Sequence, residues 1–279
     1  MGNVVGKLVF LSCLLFCNLG TFVQAEEPLG WRGSWQQGGL LLGTVPKGYS
    51  VEYQKKPLKI SREGFFLLGL GRDAESTVML TVIDAQGNRI LETFDVSSRE
   101  YQIQRIEGVP QHTVTPPDDV LERIRHESAL VKKARSMVSD SEDFLVGFSK
   151  PIEGRVTGIY GSQRIYNGVP KSPHYGVDYA APTGENVMAP AAGIVRLAHG
   201  DMFYSGGTLI IEHGHGLSSS FLHLSKIHVQ EGDRIEGGDI IGEVGATGRA
   251  TGPHLDWRMN WHQVRIDPAL VLKHFPVSK

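Results

Sequence analysis

The run Pro173-His174-Tyr175-Gly176-Val177-Asp178 and the later run Gly252-Pro253-His254-Leu255-Asp256-Trp257 decide how this chain is read. Taken as a strand, the segment from Gly252 to Met259 puts side chains two apart on one face. His254 and Asp256 then point into a common pocket, while Leu255 and Trp257 point into a core. Between the two runs, Ser220-Phe221-Leu222-His223-Leu224-Ser225 places another imidazole inside a β-rich segment. Imidazole and carboxylate are the donors that hold Zn²⁺, and a catalytic site needs only three protein ligands plus an open position for water. The pattern implies a hydrolytic metal site carried on strands.

On those residues, the segment from about Arg155 to Asp267 resembles the lysostaphin-type, or LytM-type, zinc metalloendopeptidases that cut bacterial peptidoglycan. Further landmarks fall in the family's order: Val187-Met188-Ala189-Pro190-Ala191-Ala192-Gly193-Ile194-Val195, then Leu209-Ile210-Ile211-Glu212-His213-Gly214, then Gly232-Asp233-Arg234-Ile235, and Gly248 through His254. The resemblance implies that His174 and Asp178, in a His-x-x-x-Asp motif, bind the metal, and that His223 and His254 are the reacting pair. It covers somewhat less than half of the chain.

The chain departs from the family at position 256, where Asp stands in place of the third metal-binding His. Because Asp256 shares a strand face with His254, its carboxylate can replace the imidazole, and the expected ligand set is His174, Asp178 and Asp256. Two carboxylates lower the effective charge of the metal and make it a weaker acidifier of water. Zn²⁺ is the expected ion, and such a donor set also accepts Mn²⁺ or another harder divalent cation. The alternative is a decayed site kept for binding, against which stand the retained His174, Asp178, His223 and His254. Phe221, where the family has Tyr, loses a hydroxyl and keeps the aromatic packing.

The 279 residues, 41% hydrophobic with 34 glycines, suffice for about two domains, and the glycine content favours β-structure with many turns. A net charge of −2 gives no support to nucleic-acid binding. Residues 1–25 read as a secretion signal: Lys7, an apolar run from Leu8 to Phe16, and Val23-Gln24-Ala25 as the cleavage site, with the run too short for a stable membrane span. Both cysteines, Cys13 and Cys17, fall inside it, so no disulfide is expected after cleavage; lipidation at Cys13 is the lesser alternative. The implied location is the periplasm, or secretion to the cell envelope.

Residues 26–112 read as a small sandwich of immunoglobulin-like appearance, or as a single open sheet packed on the catalytic domain, from apolar runs at Leu40–Gly43 and Phe65–Leu70, then Thr77–Ile83, Arg89–Val96 and Tyr101–Ile106, with a hairpin-type turn at Asp84–Asn88. Trp31 and Trp35 are expected to pack. Residues 113–143 read as a helical linker. Thr115-Pro116-Pro117-Asp118-Asp119 marks its start, and Arg123, Arg125, Lys132, Lys133 and Arg135, interspersed with Glu122 and Glu127, mark a solvated face. Residues 144–279 form the β-rich catalytic domain, closed by a short helix at Asp267–Leu272. His199, His213, His215, His228, His262 and His274 have no motif role and are expected at the surface or in packing. The expected fold is thus mainly β.

Amide hydrolysis requires a water to lose a proton, the carbonyl to be polarised and the oxyanion to be held. His174, Asp178 and Asp256 are assigned to the metal, and His223 and His254 to proton transfer and oxyanion stabilisation, with the base left open between them. By resemblance the substrate is the peptide part of peptidoglycan. A noncatalytic relative that activates a wall amidase through an envelope protein partner is the competing reading, and an adhesive or carbohydrate-binding module a third.

Overall fold

The computed structural model describes residues 29–107 and 120–277. The secretion signal with Cys13 and Cys17, and the helix start at 115–119, lie outside the described residues. Mainly β-structure is observed, as the alternation of apolar residues requires.

The amino-terminal strands are β1 (Gly30–Gly33), β2 (Leu40–Thr44), β3 (Ser50–Tyr53), β4 (Lys56–Pro57), β5 (Phe65–Gly69), β6 (Thr77–Ile83) and β7 (Arg89–Asp95). They form two antiparallel sheets, β1-β2-β5 and β4-β3-β6-β7. Pairing of the second with the fifth strand and the third with the sixth is also what immunoglobulin-like sandwiches use. In β6, Val78, Leu80 and Val82 are buried while Met79 is exposed, as a strand with one face on the core demands. Trp31 and Trp35 pack as expected, Trp35 stacking on Phe94 at 4.4 Å between ring centroids.

Strand β8 (Ile103–Ile106) differs from the sequence reading. It leaves the amino-terminal sheets and runs parallel to β10 (Gln163–Tyr166), after β9 (Arg155–Gly158). Its preceding residues are held over the carboxy-terminal part by Arg99, whose guanidinium lies 2.8 Å from Asp267.

Among the described residues of the 113–143 linker, helix α1 spans Leu121–Ser136. It lies on the large sheet of the carboxy-terminal part, where Ala134 with Leu130 and Val131 packs on Leu197, Met202 and Ile210. Arg135, read as part of a solvated face, is buried, which corrects that expectation.

The remaining strands are β11 (Val169–Pro170), β12 (Gly176–Ala180), β13 (Asn186–Met188), β14 (Gly193–Met202), β15 (Gly206–Glu212), β16 (Leu217–Leu224), β17 (Lys226–Ile227), β18 (Arg234–Ile235), β19 (Ile240–Glu243), β20 (His254–Trp261) and β21 (Val264–Ile266). The closing helix α2 (Pro268–His274) starts where expected, with the Asp267 carboxylate accepting from the Ala269 N–H at 2.8 Å. The large sheet runs β18-β14-β15-β16-β20-β12-β9, with β21 also on β20. Strands β15, β16 and β20 are covered on both faces. Leu209, Ile211, Phe221, Trp257 and Met259 face the main core, and Ile210 faces α1. That core also takes in Leu41, Phe66 and Leu68 from the amino-terminal sheets, and a Cβ added at Gly69 would come within 2.7 Å of Trp261. The glycine lets the two parts meet.

His213 is fully buried between the Ala192 carbonyl (2.7 Å) and the Ser219 hydroxyl (2.9 Å), and burial lowers its pKa below 6.5; His215 and His262 are lowered by burial in the same way. Above pH 6.5 the folded and unfolded states are both neutral at these positions. Below it the unfolded chain takes up protons that the folded chain refuses, so stability falls by at most about 1.4 kcal/mol per pH unit at His213, and by less at His215 and His262, until each folded pKa is reached. Urea unfolding between pH 7.5 and 5 should show this loss, and His213→Gln should remove about one proton from the slope.

Candidate metal centre

Antiparallel pairing of β12 with β20 sets Asp178 directly opposite Asp256. Like charges on facing positions repel. The loop before β12 adds an imidazole: the Gly161 N–H donates to the His174 carbonyl (2.7 Å), and the His174 N–H to the Ser162 carbonyl (2.8 Å). His174 Nδ1 lies 3.2 Å from the Ile159 carbonyl, so this nitrogen carries the proton and Nε2 turns to the carboxylates. Nε2 is 3.0 Å from Asp178 Oδ1 and 3.5 Å from Asp256 Oδ2.

Neither His174 Nε2 nor Asp178 Oδ1 has a hydrogen-bond partner of good geometry among the described residues, although both are buried. These atoms converge on a point instead of aiming at one another, and one donor atom from each of His174, Asp178 and Asp256 lies within 4.8 Å of the others. Two glycines leave the room: a Cβ at Gly158 would meet Asp178 Oδ2 at 2.1 Å, and one at Gly176 would meet Asp256 Oδ1 at 2.5 Å. The donor set fits a divalent cation. Without it, burial lowers the His174 pKa but the two carboxylates outweigh burial and raise it to about 10.

The reacting pair of the sequence reading is also brought together, with the His223 and His254 rings 4.8 Å apart. His223, next to last in β16, has a positive φ of 66°, an unusual conformation for a residue with a side chain, and its N–H donates to the Ser205 carbonyl at 2.8 Å. Each ring gives its Nδ1–H to a backbone carbonyl at 2.8 Å, His223 to Thr247 and His254 to Gly252, which leaves Nε2 as the free acceptor. Burial lowers the His223 pKa and keeps that ring neutral. Leu222 pairs with Asp256, so the imidazoles stand beside the carboxylates.

Sequence reasoning missed two residues. Thr247 supplies the carbonyl that orients His223, and its hydroxyl donates to the Leu224 carbonyl and accepts from the Gly207 N–H, both at 2.9 Å. Arg258 lies two residues beyond Asp256 on the same strand face, a periodicity that could have revealed it. Its Nε lies 3.0 Å from both Asp256 oxygens, and its Nη2 2.5 Å from Oδ2. Burial alone would raise the Asp256 pKa, but Arg258 and then His174 hold it well below the usual carboxylate range.

A family model described as Peptidase family M23 matches residues 172–268. A solved putative peptidase M23 from Pseudomonas aeruginosa is 31% identical over 87% of this chain and 96% of its own, with a TM-score of 0.68. The chain belongs to peptidase family M23. Curated relatives include the DD-carboxypeptidase/endopeptidase Mpg of Neisseria meningitidis serogroup B, 39% identical over 98 residues, and the peptidoglycan DD-endopeptidase ShyA of Vibrio cholerae, 35% identical over 106 residues. These matches cover 35% and 38% of this chain but only 22% and 24% of the relatives' lengths. Membership in a metallopeptidase family implies a divalent metal, which agrees with the converging donors.

The guanidinium on Asp256 opposes the charge of a cation at the same carboxylate. Arg258→Met should therefore tighten divalent metal binding by about tenfold or more, whereas Asp256→Ala should weaken it by more than about a hundredfold, beyond the loss of an outer-shell partner. Titration calorimetry of the metal-free proteins measures both.

Proposed function

We propose that this chain is a metal-dependent endopeptidase that hydrolyses peptide cross-links of peptidoglycan in the cell envelope. The observation that carries the reading is the convergence of His174 Nε2, Asp178 and Asp256 beside two imidazoles whose Nδ1 atoms are tied to backbone carbonyls. The names of the curated relatives supply the substrate class. We take His174, Asp178 and Asp256 as metal ligands, His223 and His254 as the proton-transferring pair, and Zn²⁺ as the ion. When bound, the metal supplies Lewis acidity for the scissile carbonyl and the attacking water.

The chain's own residues do the rest. A neutral imidazole with a free Nε2 accepts the proton of the attacking water, and the same ring returns it to the leaving amine. The second imidazole stabilises the oxyanion once its Nε2 has also taken up a proton, donating from that nitrogen while its Nδ1–H stays on the backbone carbonyl. A peptidoglycan substrate supports a location in the periplasm or outside the membrane; among the described residues no helix is long and apolar enough to cross a membrane. A signal over residues 1–25, an immunoglobulin-like unit over 26–112, a linker over 113–143 and a catalytic unit over 144–279 remain part of this proposal.

The bidentate hold of Arg258 on Asp256 favours a second reading, a noncatalytic relative that acts on an envelope protein partner. Hydrolysis of purified peptidoglycan separates the two. His223→Ala and His254→Ala should each lower turnover by about a hundredfold or more while metal content, read by elemental analysis, stays near the wild-type value. A wild-type protein that takes up no divalent metal and releases no peptide fragments would leave only the regulatory reading.

A further inference from the structure

Helix α1 carries Arg135 onto the polar face of the large sheet, 7% exposed, with Nη2 at 3.4 Å from the Ser220 hydroxyl and Nε without a hydrogen-bond partner among the described residues. Antiparallel register sets Ser220 of β16 beside Arg258 of β20 and Ser218 beside Asn260, and β21 then sets Arg265 beside Asn260. Asn260 is fully buried, yet neither Oδ1 nor Nδ2 has a partner among the described residues, and the same holds for Arg265 Nη1. The register thus puts Arg258 and Arg265 on the sheet face that Arg135 meets through Ser220, and the two guanidiniums repel that of Arg135.

Negative charge is short here. Asp256 is taken by Arg258 and, with Asp178, by the metal centre. Glu212, on the neighbouring β15, is held by Arg196 at 3.1 Å and by the Ser139 N–H at 3.2 Å. Arg265 has the Tyr175 ring at 5.5 Å, which offers a π-face and no formal charge. An unpaired buried cation is costly, and buried polar groups normally find partners.

We propose that Arg135, Arg258, Arg265 and Asn260 form a small-anion site beneath α1, suited to a halide or a carboxylate group. Arg135 and Asn260 make its floor. Arg258, whose side chain is 23% exposed, and the half-buried Arg265 make its mouth, on the side of the metal centre. The anion neutralises Arg135 and Arg265, Arg258 being already paired with Asp256, and fastens α1 to the sheet. Its carboxylate source is either a free small anion or the carboxy terminus of a peptide. The site stands without the peptidase reading, since binding needs no turnover.

The test is thermal unfolding of the full chain, with and without chelator, in chloride, bromide or acetate against the bulky sulfonate isethionate at equal ionic strength. A saturable rise in Tm of about 5 °C at a hundredfold excess over Kd is expected for the small anions. Asn260→Asp, which supplies a fixed carboxylate in the same volume, should raise Tm in isethionate and abolish the anion response. Arg135→Met should abolish the response as well. A D-alanyl-D-alanine peptide that raises Tm while its carboxamide does not identifies the peptide terminus as occupant; equal behaviour of the two alongside a chloride response identifies the free anion. Identical Tm values in all anions, or an Asn260→Asp protein that keeps the full response, would overturn the proposal.

Discussion

The site depends on one pairing, the antiparallel register of β12 and β20 that holds Asp178 against Asp256. Two facing carboxylates in a buried part of a sheet are unfavourable unless a positive charge lies between or beside them. The surroundings provide for this on every side. His174 is fixed by three backbone contacts to residues 159–162, Gly158 and Gly176 keep Cβ atoms out, and Arg258 covers the flank of Asp256. The core face of the same strand, Leu255, Trp257, Met259 and Trp261, locks the register, because a slip of one residue would turn the carboxylate into the core and Trp257 out of it.

The rest of the molecule covers what that sheet leaves open. The amino-terminal sheets close over the apolar face through Gly69, Trp261 and Ile266, so one buried core runs through both parts. Helix α1 closes over the other face and is held at its first turns by Arg123, which reaches Asp201, and by Glu127, which accepts from the Phe203 N–H at 2.8 Å. Polar side chains beneath it are the cost of placing a candidate metal centre on a sheet that is buried on both sides.

Much of the metal centre was legible because a strand's period of two is strict. From His254 and Asp256 alone it follows that both face one pocket, and the structure places them so, with Leu255 and Trp257 in the core. The same rule applied one step further gives Arg258. Helix α1 was harder to read. Its mixed charges are what a solvated face looks like, and only the tertiary contact with Ser220 shows that Arg135 points inward. Strand β8 was legible as a strand but not as a partner of β10, because parallel pairing across distant sequence leaves no local signal. The positive φ of His223 was illegible as well, since it goes with a contact to Ser205, eighteen residues earlier, that no local pattern announces.

The pairing of Asp at 256 with Arg at 258 bears on why a carboxylate can stand where the family resemblance calls for imidazole. A neutral imidazole offers one nitrogen lone pair, and a metal uses it up. An ionised carboxylate offers about four acceptor sites on two oxygens. Asp256 can therefore accept from Arg258 and still present Oδ2 toward His174 and the point where the ligands converge. The charge also balances. One imidazole, two carboxylates and one guanidinium sum to the same −1 as two imidazoles and one carboxylate, so the weaker acidification expected from two carboxylates is offset by Arg258. On this argument Asp256 and Arg258 belong together, and an aspartate at 256 without the arginine would describe a different centre.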